Sequence, residues 1–191
     1  LAYARTNALI RDLLLLTAVA SVFALQYTSI LPALAKDVLR VDSRGLGIMM
    51  SATGLGALSA ALAVAGLGHL FKPGAIVTAG SILAPAGIVA LALVHSLPVA
   101  VICLVATGFG MMMFLAVSNT MVQMASPDNM RGRMLSLRTL TFMGLAPVGA
   151  LQIGLVAQHA GVRIALGAGG LACVMAGVCF APRRRKTPGV R

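Results

Sequence analysis

The chain has 191 residues, of which 59% are hydrophobic and 10% charged, and its 15 Lys and Arg against four Asp and Glu give a net charge of +11. Soluble domains carry roughly 45–50% apolar and about 25% charged residues, so this composition excludes a soluble enzyme, a nucleic-acid-binding domain and a disordered chain. What remains is a polytopic, all-α membrane protein whose spans each draw on about 20 apolar residues, in keeping with a mean hydropathy of +0.98.

The chain begins at Leu1 rather than Met, carries no signal-peptide pattern, and reads as starting inside something longer. Residues 1–12 form a cytoplasmic or interfacial lead-in. The first span is the uncharged run 13–35, followed by a loop with Lys36, Asp37, Arg40, Asp42 and Arg44. The second span is 45–68, and His69, Lys72, Pro73 and Gly74 connect it to the third, at 75–94. A very short turn then leads to the fourth span, 99–124, with Pro98 suited to a first helical turn. The loop from Ser126 to Arg133 precedes the fifth span, 134–157, and a second short loop with His159, Gly161 and Arg163 precedes the sixth, 164–181. A basic tail fills 183–191. Each run crosses about 30 Å of hydrocarbon at about 1.5 Å per residue. Helices rather than barrel strands follow from continuous apolar runs without period-2 alternation. Pro147, beside Gly144 and Gly149, should kink the fifth helix, because it removes one backbone bond and clashes with the preceding turn.

Six spans put both termini on one side of the membrane. That side holds Arg5, Arg11, Lys72, Arg131, Arg133, Arg183, Arg184, Arg185, Lys186 and Arg191, and the other holds Lys36, Arg40, Arg44 and Arg163. The positive-inside rule makes the richer side cytoplasmic. Arg138 alone falls inside a span, close enough to its start to snorkel to the headgroups or to serve a function. Positive charge therefore reports orientation and contact with membrane lipid, not nucleic acid.

Small residues at four-residue spacing should form helix contacts: Ala52, Gly56 and Ala60; Ala150 and Gly154; and Ala165, Gly169, Cys173 and Gly177. The three cysteines read as small buried hydrophobes, and neither their number nor their spacing points to a metal or a disulfide. Polar side chains concentrate on the first and fourth spans. Gln26 and Tyr27 sit mid-run in the first, and Asn119 and Gln123 share a face of the fourth. An unpaired polar group in hydrocarbon costs several kcal/mol, so these four are expected to face a substrate pathway or a helix partner. The third and sixth spans, nearly without amides and hydroxyls, are expected to face lipid. Met111, Met112 and Met113 offer a soft apolar wall. No fixed charge is expected to face the pathway. The chain has no Walker loop, no catalytic constellation and no call for a cofactor or metal.

These features resemble the C-terminal six-helix half of a major facilitator superfamily transporter, and among these the bacterial drug and siderophore exporters typified by the enterobactin exporter, also grouped as transmembrane secretion effectors. The strongest likeness is Pro127-Asp128-Asn129-Met130-Arg131-Gly132-Arg133-Met134-Leu135-Ser136-Leu137, similar to the loop between helices ten and eleven. The stretch from Gly144 to Ala150, that from Leu31 to Leu39, and the two Gly-Leu-Gly triplets at Gly45 and Gly54 add to it. The chain departs from the superfamily's helix eight–nine loop pattern, which often carries an Asp; here it reads Gly66-Leu67-Gly68-His69-Leu70-Phe71-Lys72-Pro73-Gly74. The resemblance implies two inverted three-helix repeats, 13–94 and 95–182, and a multi-pass protein of the bacterial plasma (inner) membrane. It implies transport by alternating access, with efflux of small amphipathic molecules. The partner would be an N-terminal six-helix half, in the same or a separate chain, or a second copy. Asp128, Arg131, Gly132 and Arg133 are expected to act as a gating loop. The competing reading is a non-transporting membrane scaffold or assembly subunit.

Overall fold

The computed structural model describes residues 7–185, with side chains to residue 180. The start of the lead-in and the basic tail beyond residue 185 lie outside the described residues, as do the side chains of Arg183, Arg184 and Arg185. Among the described residues every regular element is helical, and six helices are long and apolar enough to cross a membrane. These are α1 (Ala8–Val38), α2 (Ser43–Leu67), α3 (Pro73–Leu93), α4 (Leu97–Met124), α5 (Arg131–Ala160) and α6 (Val162–Arg185).

The helix ends follow from local chemistry. Asn7 opens α1, its side-chain oxygen accepting from the amides of Leu9 and Ile10 at 3.1 and 3.3 Å. Asp42 caps α2 through the Gly45 amide at 3.0 Å. Pro73 and Pro98 occupy first-turn positions of α3 and α4, where no partner for an N–H is lost. Gly161 closes α5 at φ 92° and ψ 156°, a region essentially reserved for glycine.

Two helices are interrupted. As expected at Pro147, α5 breaks at Leu145 into Arg131–Gly144 and Ala146–Ala160. The break in α1 was not expected. Its ladder widens to a π-turn at Ala20–Ala24, closed by the Leu25 amide on the Ala20 carbonyl at 2.8 Å, and Gln26 departs from helical geometry with ψ 0° before Tyr27–Ala33 resumes. A second wide turn spans Leu34–Val38, after Pro32.

The helices meet through small residues, since backbones must approach closely where lipid supplies no hydrophobic drive. α4 sits centrally between α2 and α3; α3 packs on α6; α6 packs on the second half of α5 and on α1. At the α2–α4 crossing, Gly56 lies against the Val105 carbonyl and Gly108 against that of Thr53. Ala52, Gly56 and Ala60 are all buried, as are Ala165, Gly169, Cys173 and Gly177. The fifth-span stripe is corrected: Gly154 is exposed and touches nothing, while Gly149 and Ile153, one position earlier, are buried. The kink at Leu145 turns the later half of α5, so the contact face shifts. Of the cysteines only Cys173 is buried; Cys103 is half-buried and Cys179 exposed.

Coverage within the chain differs from span to span. Half of α3's most apolar stretch is buried within the chain, the largest share of any span, against 22% for α2 and 11% for α5. An apolar helix packs as readily against Leu and Gly as against acyl chains. Two buried clusters result. One joins the later half of α1 to the start of α4 and the end of α3, around Tyr27, Leu31, Leu91 and Leu104. The other joins the start of α1 to the end of α4, around Ile10, Leu13, Phe114 and Val122.

Candidate functional site

The wide turn of α1 leaves backbone groups that the rest of the chain must cover, because no water does so in hydrocarbon. Ser21 donates its hydroxyl to the Phe142 carbonyl of α5 at 2.6 Å, and Cys173 of α6 donates to the Val19 carbonyl at 3.6 Å. Glycines let both helices close on the turn. A Cβ on Gly149 would stand 2.6 Å from the Val22 carbonyl oxygen, and one on Gly169 would stand 2.8 Å from that of Phe23. Gln26 follows this turn. It is half-buried, its amide 3.5 Å from the Ser21 carbonyl and its Cγ against the Gly149 backbone. Tyr27 is buried at 3% exposure, its hydroxyl directed at the Thr53 side chain of α2.

Asn119 and Gln123 lie together near the other end of the bundle, both half-buried. Asn119 accepts from Nη1 of Arg138 at 3.3 Å. Nη2 of Arg138 donates to Ser118 Oγ at 2.8 Å and to the Leu115 carbonyl at 3.2 Å. The expectation that no fixed charge borders these amides therefore fails: a guanidinium is bonded to one of them. The structure joins Gln26 with Tyr27, and Asn119 with Gln123, but does not join the pairs. Their α5 neighbours, Gly149 and Arg138, stand roughly 16 Å apart along a helix. The hydrogen bonds of Gln26 and Asn119 run to α1 itself and to α5.

The loop after α4 is tied down at its surface. Arg131 Nη2 pairs with Asp128 at 2.8 Å, and its Nε donates to the Gln123 carbonyl at 3.2 Å, in the last turn of α4 where a cation suits the helix dipole. Gly132 and Arg133 are exposed, and nothing crowds Gly132. At the opposite end Arg163 plays a similar part for α3, donating to the Val94 carbonyl at 3.0 Å beside His95 Nε2 at 2.7 Å. An apolar cavity of about 300 Å³ lies between α2, α3 and α4, lined by Val64, Phe71, Ile76, Phe109 and Met113; none of the four pathway candidates borders it.

Sequence reasoning missed three residues here. Ser21 and Ser118 carry ordinary serine signals and gain importance only from what faces them. Asp12 counts as a span-end carboxylate by position, yet it is buried at 5% exposure, with Oδ1 lacking a hydrogen bond and Arg11 Nε 3.6 Å away.

A bundle of six spanning helices, two of them interrupted and bonded to each other, with polar and charged groups held between helices, is a multi-pass membrane protein of the transporter class. The chain belongs to the transmembrane secretion effector family of the major facilitator superfamily, whose family model matches residues 1–188. No curated protein and no solved structure matches it. Membrane transport is the activity this membership carries.

Proposed function

We propose that this chain is one six-helix half of an exporter that moves small amphipathic molecules, of drug or siderophore type, out of a bacterial cell by alternating access. In this reading it lies in the plasma (inner) membrane with both termini cytoplasmic. A second six-helix half, in the same longer chain or a separate one, or a second copy, completes the pathway. Gln26 faces that pathway from α1, and Asn119 and Gln123 from α4, while Tyr27, buried at 3% exposure, packs behind the wall rather than on it. The Asp128–Arg131 loop steadies the cytoplasmic end during closure.

The observation that carries the reading is the meeting of interrupted α1 with interrupted α5 at the Ser21–Phe142 bond. Irregular backbone within hydrocarbon is tolerated where it is buried in protein or lines a cavity, and transporters place their sites at such discontinuities near the midplane. Two halves rocking against each other need a helix that bends without losing its bonds. Pro147 has already removed one bond from α5, and Ser21 satisfies a freed carbonyl.

The test is transport by the full coding frame's product in proteoliposomes, using a fluorescent amphiphile. Movement from the cytoplasmic face to the other is expected, with a raised KM when Gln26 is replaced by Ala. Movement only inward would overturn export, and no movement in either direction would favour the scaffold.

A further inference from the structure

Arg138 stands seven residues into α5, roughly 10 Å along the helix from Arg131. A side chain serving only as an anchor would run back towards the headgroups. This one runs across to α4 instead, and its acceptors, Leu115, Ser118 and Asn119, lie well inside the helix end at Met124. The charge is held within the bundle rather than released from it.

All three acceptors are neutral: a carbonyl, a hydroxyl and an amide oxygen. They solvate the guanidinium but do not balance it. Among the described residues the ion pairs are Arg11 with Asp12 and Arg131 with Asp128, so neither carboxylate at this end of the bundle is bonded to Arg138. A guanidinium has five N–H donors; three have partners here, and Nε is buried without one. The set is incomplete in charge and in hydrogen bonds. Arg138 and Asn119 are half-buried, so the group is not fully sealed inside the bundle. A carboxylate, sulfate or phosphate meeting the remaining Nη1 N–H supplies the missing charge through a charge-assisted hydrogen bond.

We propose that Arg138, positioned by Ser118 and Asn119, binds the anionic group of an amphiphile within the membrane, making acidic amphiphiles the preferred substrates. The inference rests on the export reading for the word substrate, though the site itself does not. The anion arrives either on a transported molecule or as a lipid headgroup, and the two share this chemistry. Binding draws the guanidinium towards the new partner and loosens its grip on α4, so occupancy is coupled to the contact between α4 and the first half of α5.

The experiment measures binding to the full chain in nanodiscs of zwitterionic lipid, with a dansyl-labelled long-chain carboxylate and its methyl ester as probes. The carboxylate should bind about tenfold more tightly, the scale of one charge-assisted bond. R138Q should bring the two probes to parity, and R138K should keep part of the preference. S118A, which retains the charge, should weaken the preference without abolishing it, and it serves if R138Q does not fold. Doping the nanodiscs with an anionic phospholipid separates the sources: loss of the preference in wild type identifies a headgroup as the occupant, and its persistence identifies the free amphiphile. Equal binding of both probes by wild type, or a preference unchanged in R138Q and S118A, overturns the site. Transport of a neutral probe alongside equal binding would leave export standing and remove only this inference; a binding preference without transport would do the reverse.

Discussion

Ser21 of α1 donates its hydroxyl to the Phe142 carbonyl of α5 at 2.6 Å, across 121 residues of sequence. The bond spans two defects. One is the π-turn that widens α1 at Ala20–Ala24, and the other is the break of α5 at Leu145. A side chain of the first defect covers a carbonyl beside the second, while the Val19 carbonyl before the π-turn is met from α6 by Cys173.

Replacing Ser21 by Ala should therefore destabilise the bundle. The Phe142 carbonyl then loses its donor from α1. Interhelical hydrogen bonds in bilayers average about 0.6 kcal/mol and reach about 1.7 kcal/mol, and the short distance and buried donor place this one in the upper half of that range. Thermal unfolding in detergent should show a lowered midpoint for S21A. An unchanged midpoint would mean that α5 finds another donor.

Gly149 and Gly154 test where α5 touches its neighbours. A methyl on Gly149 would meet the carbonyls of Ser21 and Val22, which are backbone and cannot swing aside. G149A should cost about 1–3 kcal/mol, the usual range for overpacking. G154A meets nothing within 4 Å and should leave stability near that of wild type. Chemical denaturation of both variants in parallel gives the comparison, and equal losses would return the contact face to the 150–154 stripe.

The six spans were legible because composition leaves hydrocarbon as the only solvent for runs of this length. The kink at Pro147 was legible because a missing N–H is a property of the residue itself. The π-turn in α1 was not, since Ala20-Ser21-Val22-Phe23-Ala24 contains neither Gly nor Pro. What holds that turn lies on other helices, at Gly149, Gly169 and Phe142. The same holds for the site. Polarity marked Gln26 and Asn119 as residues that need company, but not who keeps it. Arg138 could be placed within two turns of Arg131 by counting, yet its direction depends on Ser118 and Asn119, which no spacing in its own helix reveals.

Orientation can be read by chemistry at two loop positions. Asp42 and Asn129 are both exposed, and they flank opposite ends of the spanning helices. With the native cysteines removed, cysteines placed at 42 and 129 should react with a membrane-impermeant maleimide from opposite faces of intact cells and inverted vesicles. Position 129 should be the cytoplasmic one, by the ten-to-four distribution of Lys and Arg across the two sides. Labelling of both from outside would sink the topology.

The loop of Asp128, Arg131, Gly132 and Arg133 separates gating from stability. Arg131 holds Asp128 at 2.8 Å, but both are exposed, the carboxylate at 92%. An exposed pair contributes about 0–1 kcal/mol, so replacing Arg131 and Arg133 together by Gln should barely move the unfolding midpoint. The second bond of Arg131, to the Gln123 carbonyl at 3.2 Å, matters differently. It ties the start of α5 to the last turn of α4, the same two helices that Arg138 joins deeper in. If this end of the bundle closes by bringing these helices into register, the double variant should lose several-fold in transport rate while expression and melting stay near wild type. The D128N variant, which leaves the Gln123 contact intact, should lose less. Transport rates in proteoliposomes beside melting curves of the same preparations decide the matter: an unchanged rate in the double variant reduces the motif to an orientation signal.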